Sequence, residues 1–526
     1  LEFRRVLFRS VLAALLALSI VGAVAEDNDE IVITYGKNFD YDGKTFIHDQ
    51  TLENNYYTQY IKEKHNVRVE YAWVLDDDSQ KDALAVVSGE MPDVMYVNQS
   101  VFDMLIEADM LQPITKAFDE NANQYLREAR ESYPEAYAAA TVKGELMAIP
   151  CATVKKQHQV VWVRQDWLDK LGLELPTTLD DIVNIAKAFI EQDPDGNGEN
   201  DTIGLPLDST YIMGNFGRDF GADPIANYMG SYARQWYLDD NGDVVYGSLT
   251  PETRNALEYL AKLYADGVID PQFAVREEKE AVISGKCGIF FGSWCTGPLR
   301  QSYGYDGADW VPVAAPLDEN GYFYTTNPIP ASSYLVVSKK CEHPEAVIWA
   351  LGDSYEFHRF LSGDPEWDAK IAEYQTAGVS WTIMPFEIQL ENEDIVAVRG
   401  RDMKQMVETG DRTGVSAQNQ SFYDAYLAWL DDNTSLTGWV RYKGMYLCCN
   451  VANYEKNVYK DHCFWGMTPT MSESWATLTS MEDEVFMKIV LGEVGIEAFD
   501  EFVEQWNAQG GEKITEEVQA WVDARS

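Results

Sequence analysis

The residues best suited to chemistry form a short acidic loop, Asp193-Pro-Asp-Gly-Asn-Gly-Glu-Asn-Asp. Counting Asp193 as position 1, side-chain oxygens fall at positions 1 (Asp193), 3 (Asp195), 5 (Asn197) and 9 (Asp201). Gly198 takes position 6, where an EF-hand loop turns sharply, and the Glu199 carbonyl takes position 7. Oxygens alternating along one short loop suit a hard cation, and left unneutralised the acids repel one another. The spacing therefore points to a structural Ca2+ held by Asp193, Asp195, Asn197, Glu199 and Asp201. At position 12, where an EF-hand carries a bidentate glutamate, the chain has Gly204. A further ligand must then come from elsewhere or from water. The plain alternative is an Asp/Asn/Gly turn with solvated acids.

Aromatic residues beside polar ones form the second constellation. A sugar offers an apolar C–H face and a rim of hydroxyls, so its site needs flat rings next to Asp, Asn, Gln or Arg. Trp294, Trp381, Trp439 and Trp465 each stand in a Gly-, Ser- or Thr-containing segment, whereas Trp167 and Trp506 read as core. Trp294 leads because it follows the apolar run Ile289-Phe290-Phe291. Asn98, Gln99 and Asp208 are the polar residues expected to contact hydroxyls. Taken singly, each tryptophan is equally well explained as structural.

Catalytic signatures are missing from the sequence. It contains no G-x-S-x-G, no H-E-x-x-H and no Walker A motif, and Gly285-Lys286 is followed by Cys287 rather than Ser or Thr. Six histidines are scattered without ligand spacing, and His158 and His462 read as surface or hydrogen-bonded residues. With 86 acids, no carboxylate pair can be singled out by counting. No catalytic residue is assigned, and a secreted calcium-dependent carbohydrate hydrolase stands as the rival to a binding protein.

The elements that position these residues follow from periodicity. Val160 to Val163 reads as a strand. Thr178, with Asp181 three residues on, announces a capped helix that buries Ile182, Ile185, Ala186 and Phe189 and ends at the acidic loop. Strands at residues 30–35, 66–73 and 94–97 alternate with helices at 52–64 and 81–88, which indicates an α/β sheet with parallel strands. Asn98-Gln99 then lies at a strand's carboxyl end, where open α/β sheets bind ligands. Asn241-Gly242 marks a hairpin, Thr250-Pro251 a helix start, and Phe499, Phe502, Val503 and Trp506 an apolar stripe ended by Gly510-Gly511.

At 526 residues the chain is long enough for two cores, and 46% hydrophobic content excludes disorder as its main state. A formal charge of −45 excludes nucleic acid and disfavours an anionic membrane surface. Val11 to Gly22 is an apolar run too short for a membrane span, and Ala23-Val24-Ala25 has a signal-peptidase pattern. Residues 1–25 therefore read as the remnant of a signal peptide, with 1–10 (LEFRRVLFRS) an artefact of sequence. Seven cysteines without a C-x-x-C pair make neither a disulfide framework nor a zinc ribbon, and most read as buried.

The stretch from Val161 to Leu207 resembles the extracellular solute-binding proteins, family 1, the lipoprotein-type receptors of bacterial ABC importers. The resemblance runs on through SGEMPDVMYV (Ser88 to Val97), Tyr246 to Phe273, GKCGIFFGSW (Gly285 to Trp294), Ser333 to Leu351 and Trp465 to Gly492. It implies an α/β, two-lobe, periplasmic-binding-protein-like fold with a hinge and a ligand in the cleft. The expected N-terminal lobe is 30–150 plus 332–392, and the C-terminal lobe 155–328 plus 395–526, with crossings near Pro150 and Asn327. The ligand implied is a carbohydrate, an oligosaccharide above all, delivered unbroken by a monomer to a membrane permease. Trp294 falls in the segment that faces the cleft in that family. Family members carry a lipid-anchoring cysteine after the apolar run; the first cysteine here is Cys151. A secreted, extracellular or otherwise surface-associated protein is expected.

Overall fold

The computed structural model describes residues 30–524 apart from 42–45, 76–78, 157–158, 215–217, 295–307, 389, 391 and 434–435. The leader and His158 lie outside the described residues. Ten principal strands carry the architecture: β1 (Ile31–Asn38), β2 (Val67–Leu75), β3 (Val94–Asn98), β4 (Ala148–Ala152) and β5 (Val160–Arg164). The rest are β6 (Ile289–Gly292), β7 (Trp310–Val313), β8 (Phe323–Thr326), β9 (Ala331–Val337) and β10 (Asn457–Lys460).

The first sheet runs β2-β1-β3-β9-β4. β1 is parallel to β2 and β3, as the strand–helix alternation implies, but β9 is antiparallel to both β3 and β4. The reversal has a simple reason: β4 leads the chain out of this sheet and β9 brings it back beside it, in the opposite direction. Tyr334, Leu335, Val336 and Val337 are all buried, the unbroken apolar run of an interior strand covered on both faces. One contiguous core joins residues 33–152 to 331–390.

The second sheet, β6-β5-β7, is antiparallel. Along β5 the period of two divides the side chains between two cores. Val161 and Val163 face one built with Ile182, Phe189, Leu257 and Trp506; Val160 and Trp162 face another with Phe290, Trp310 and Trp439. The capped helix is formed as expected. Thr178 Oγ1 accepts from Asp181 N at 3.1 Å, Asp181 Oδ2 accepts from Thr178 N at 2.8 Å, and the helix spans Leu179–Gln192.

The chain after residue 395 divides. Helices Ile395–Thr409 and Ala417–Asp431 and the segment 436–451 build a core of their own around Met403, Met406, Phe422 and Cys449. Residues 464–522 join the core of the second sheet instead. Within the former, a Cβ on Gly400 would stand 2.5 Å from the Cys449 carbonyl oxygen, so only glycine lets these segments touch. The helix carrying the Phe499–Trp506 stripe does break at Gly510-Gly511. The chain turns at Gly510 (φ 118°), which a side chain would strain, and resumes as the helix Glu512–Asp523.

Three connections between the two sides lie together. Thr153 N donates to Pro330 O at 3.1 Å, and Lys155 N donates to Glu393 O at 2.8 Å. Lys156 N donates to Asn327 Oδ1 at 3.2 Å. Among the described residues no helix is long and apolar enough to cross a membrane.

Candidate functional site

Two cavities lie between the first-sheet core and the rest of the molecule. The one richer in functional groups has a volume of about 420 Å³. Tyr355, His358 and Trp381 line it from the first side, and Trp294, Arg399 and Arg441 from the other. Trp294 arrives at the end of β6, as its place after an apolar strand predicts. Its neighbour Ser293 is held by Asp219 Oδ1, which accepts from Ser293 N at 3.1 Å, while Trp162 Nε1 donates to Ser293 O at 3.3 Å. The base of the ring is thus fixed by buried groups, and the Arg399 guanidinium lies 5.4 Å from the ring centroid. Trp381 opens a short 3₁₀ turn capped by Ser380, which leaves its ring 36% exposed.

The electrostatics of this cavity are those of clustered cations. Burial, aggravated by Arg359, Arg399 and Arg441, pushes the His358 imidazole well below its ordinary value, so the ring stays neutral. His358 Nδ1 is 2.9 Å from the Tyr57 hydroxyl. Burial and the neighbouring Arg399 depress Arg441 to about 10. Arg359 donates to Gln418 Oε1, and the Arg441 guanidinium lies 4.2 Å from the Phe422 ring centroid. Such a surface offers flat rings, amides and guanidinium forks, the donor set that grips oxygen-rich ligands.

The other cavity, about 660 Å³, brings Gln99 together with Trp465. Asp103, Glu135 and Glu517 also line it, so it is acidic where the first is basic. Trp465 meets Trp521 edge-on with centroids 5.2 Å apart. The Gln99 amide is already engaged: Nε2 donates to Asp103 Oδ1 at 2.9 Å, and Oε1 accepts from the Tyr334 hydroxyl at 2.5 Å.

The remaining expected residues are placed elsewhere. Asn98 caps the helix Gln99–Glu107, its Oδ1 accepting from Val101 N at 3.0 Å. Trp439 is 5% exposed and packs in the core with Trp162 and Trp310. Asp208 accepts from Thr210 N at 2.7 Å and Tyr211 N at 3.2 Å. None of these three lines either cavity. His462 is pushed down to about 4 by burial. Five of the cysteines are buried and Cys463 is half-buried; Cys295 lies outside the described residues.

The acidic loop turns its oxygens onto its own backbone. Asp193 Oδ1 and Oδ2 accept from Gly196 N (3.1 Å) and Gly198 N (3.0 Å), and Asn197 Nδ2 donates to Asp195 (2.9 Å) and Asp201 (3.0 Å). Asn197 Oδ1 accepts from Glu199 N at 2.6 Å. Gly196 and Gly198 have φ of 75° and 80°, the turns that fold the acids together. Burial and the neighbouring Asp193 raise the Asp195 carboxyl, a repulsion that a cation would relieve. Lys286 Nζ pairs with Asp201 at 2.7 Å. Among the described residues no three acidic, imidazole or thiol side chains are gathered closely enough to form a metal cluster. Donor chemistry fits a hard cation; the side chains are held by the loop itself.

Gly204, the position lacking an EF-hand glutamate, has a packing reason. A Cβ there would stand 2.0 Å from Val268 O, which accepts from Leu205 N at 2.8 Å.

Sequence reading missed Arg359, Arg399, Arg441 and His358. One signal was present for Arg399: it sits in the helical stripe Val396, Arg399, Met403, Met406, where a cation is out of place. Arg441 opens an eight-residue π-helical stretch, Arg441–Cys448, a local geometry frequent at functional sites and invisible to helical periodicity.

Comparison with known proteins places the chain. LipO, a lipoprotein of Bacillus subtilis, is 29% identical over 228 residues, 42% of this chain and 43% of that protein. The polygalacturonan/rhamnogalacturonan-binding protein YtcQ of the same organism is 23% identical over 395 residues, 72% of this chain and 70% of YtcQ. FusA of Streptococcus pneumoniae serotype 4, a fructooligosaccharide ABC transporter substrate-binding protein, is 24% identical over 273 residues, 49% of each chain. The matched stretches thus span less than half of LipO and of FusA. The structure of FusA in complex with kestose shares the fold, with a TM-score of 0.60 at 15% identity, covering 94% of this chain and 99% of that one. The family described as bacterial extracellular solute-binding protein matches residues 48–366, more than half the chain. With its α/β two-lobe architecture, this chain belongs to the bacterial extracellular solute-binding proteins.

Proposed function

We propose that the chain is the extracellular receptor of an ABC importer, capturing an oligosaccharide between its lobes and passing it unbroken to a membrane permease. The observation that carries this reading is the cavity in which Trp294 and Trp381 stand among guanidinium and amide donors supplied from both sides. Rings take the apolar face of a sugar and the polar groups take its hydroxyls. The names of YtcQ and FusA, as binders of polygalacturonan/rhamnogalacturonan and fructooligosaccharide, support the class of ligand. The lobes are residues 30–150 with 332–392, and 155–328 with 395–526, and the three adjacent connections near 153–156, 327–330 and 390–395 form the hinge. Closure about such connections is an established repertoire of two-lobed binding proteins. The protein acts as a monomer outside the cell or at its surface.

A calcium ion in the loop, held by Asp193, Asp195, Asn197, Glu199 and Asp201, is part of this proposal. It would supply charge that lets the crowded acids share one site. An EF-hand mutant of FusA, a structure with a TM-score of 0.58 to this one, lends the loop reading support.

Thermal-shift titration against a panel of oligosaccharides tests the receptor reading. At least one should raise the melting temperature in proportion to its concentration over its dissociation constant. A panel that spans neutral and acidic oligosaccharides and shifts nothing would overturn it.

A further inference from the structure

The chain carries 86 acidic residues against 41 lysines and arginines, yet no acid is found among the described residues lining the Trp294 cavity. Arg359, Arg399 and Arg441 line it instead. In so acidic a protein, three guanidinium groups on one cavity wall, with no carboxylate among the described lining residues, stand out. The three reach the cavity from different segments: the end of the helix Pro344–His358, the helix Ile395–Thr409 and the π-helical stretch Arg441–Cys448. Only the tertiary fold collects them.

Arg441 is the telling member. It forms no hydrogen bond or ion pair with any described residue, and its contact is the Phe422 ring at 4.2 Å. Burial and the neighbouring Arg399 weaken its hold on its proton, to about 10. A desolvated cation beside another cation costs stability unless something negative arrives. The neutral His358 lines the same cavity and adds no charge to it. The larger cavity is lined by Asp103, Glu135 and Glu517, which would repel an anion.

Resting on the reading of this cavity as the ligand cleft, we infer that the saccharide bound there is acidic, its ring seated against Trp294 or Trp381 and its carboxylate received by Arg441 with Arg399 and Arg359. A guanidinium fork matches a carboxylate with two parallel hydrogen bonds, which gives both charge and geometry. A hexuronate is the simplest sugar that offers a flat apolar face and a carboxylate on one ring.

Calorimetric titration of the whole protein with trigalacturonate, with its carboxyl-reduced neutral counterpart and with sodium sulfate tests this. The uronate should bind about tenfold to a hundredfold more tightly than the neutral trisaccharide, the range of charged hydrogen bonds. Arg441→Gln should abolish that preference, weakening the uronate far more than the neutral sugar, and melt no lower than the native protein, since it removes a buried charge. Arg441→Lys, the second variant, should keep part of the preference. Equal preference in native protein and Arg441→Gln overturns the inference, as does sulfate binding as tightly as the uronate, which would mark a free-anion site. A neutral sugar bound more tightly than the uronate overturns the inference while leaving the receptor intact. No saccharide bound at all refutes the receptor reading itself.

Discussion

The Arg399 guanidinium lies 5.4 Å from the centre of the Trp294 ring, although the two residues come from a helix and a strand end more than 100 positions apart. This contact ties the small antiparallel sheet to the helices of residues 395–451 and aims both side chains into one cavity. A cation over one ring face also makes the ring a better-fixed platform for a ligand on its remaining surface.

Trp294→Ala should therefore act mainly on binding. Loss of the stacking surface is expected to cost about 1–3 kcal/mol of ligand affinity by calorimetry. The ring is half-buried, so a drop in melting temperature of a few degrees is expected beside it. A variant that unfolds would make the ring core; one that binds normally would move the ligand elsewhere.

Calcium is checked by chelation. EGTA should lower the melting temperature and added Ca2+ should restore it, because an ion bound only by the native state stabilises by mass action. An unchanged melting curve, with no metal found in the native protein, counts against the site.

Gly204 is the place where the loop refuses an EF-hand ligand. Gly204→Glu should not tighten calcium; it should destabilise by about 3 kcal/mol or more, because its Cβ would collide with the Val268 carbonyl oxygen. Denaturant unfolding reads the cost. A stable variant with higher calcium affinity would contradict the packing argument.

Two buried histidines set the acid limb of stability. Burial lowers His462 to about 4, and burial with three arginines lowers His358 well below its usual value. Above pH 6.5 both are neutral in both states, and nothing changes. As pH falls from 6.5 toward 4 the unfolded chain takes up protons that the native histidines do not, so stability falls. The slope approaches about 1.4 kcal/mol per pH unit for each group. Unfolding midpoints of His462→Gln should decline less steeply over that range; an identical decline would show that His462 is not responsible.

Local chemistry was legible in the sequence wherever it is decided locally. Thr178 and Asp181 cap their helix, Ile289 to Phe291 is a buried strand, and Trp294 emerges from it into a cavity. Long-range pairing was not. The direction of β9 depends on how the chain returns from the other side, which no window of residues records. Trp439 has polar neighbours in sequence but lies beneath Trp162 and Trp310 in space. Arg359, Arg399 and Arg441 are separated by about 40 positions each and become one surface only through packing. The acidic loop shows the converse: its donor types are plain, while the ion's presence depends on whether the side chains leave the loop's own N–H groups.

Equilibrium dialysis against the oligosaccharide panel, followed by chromatography of the ligand recovered from the protein, tests the central claim most directly. The account predicts that one class of oligosaccharide is retained, one molecule per chain, and recovered at full length. Retention of none, or recovery of shortened products, would contradict it.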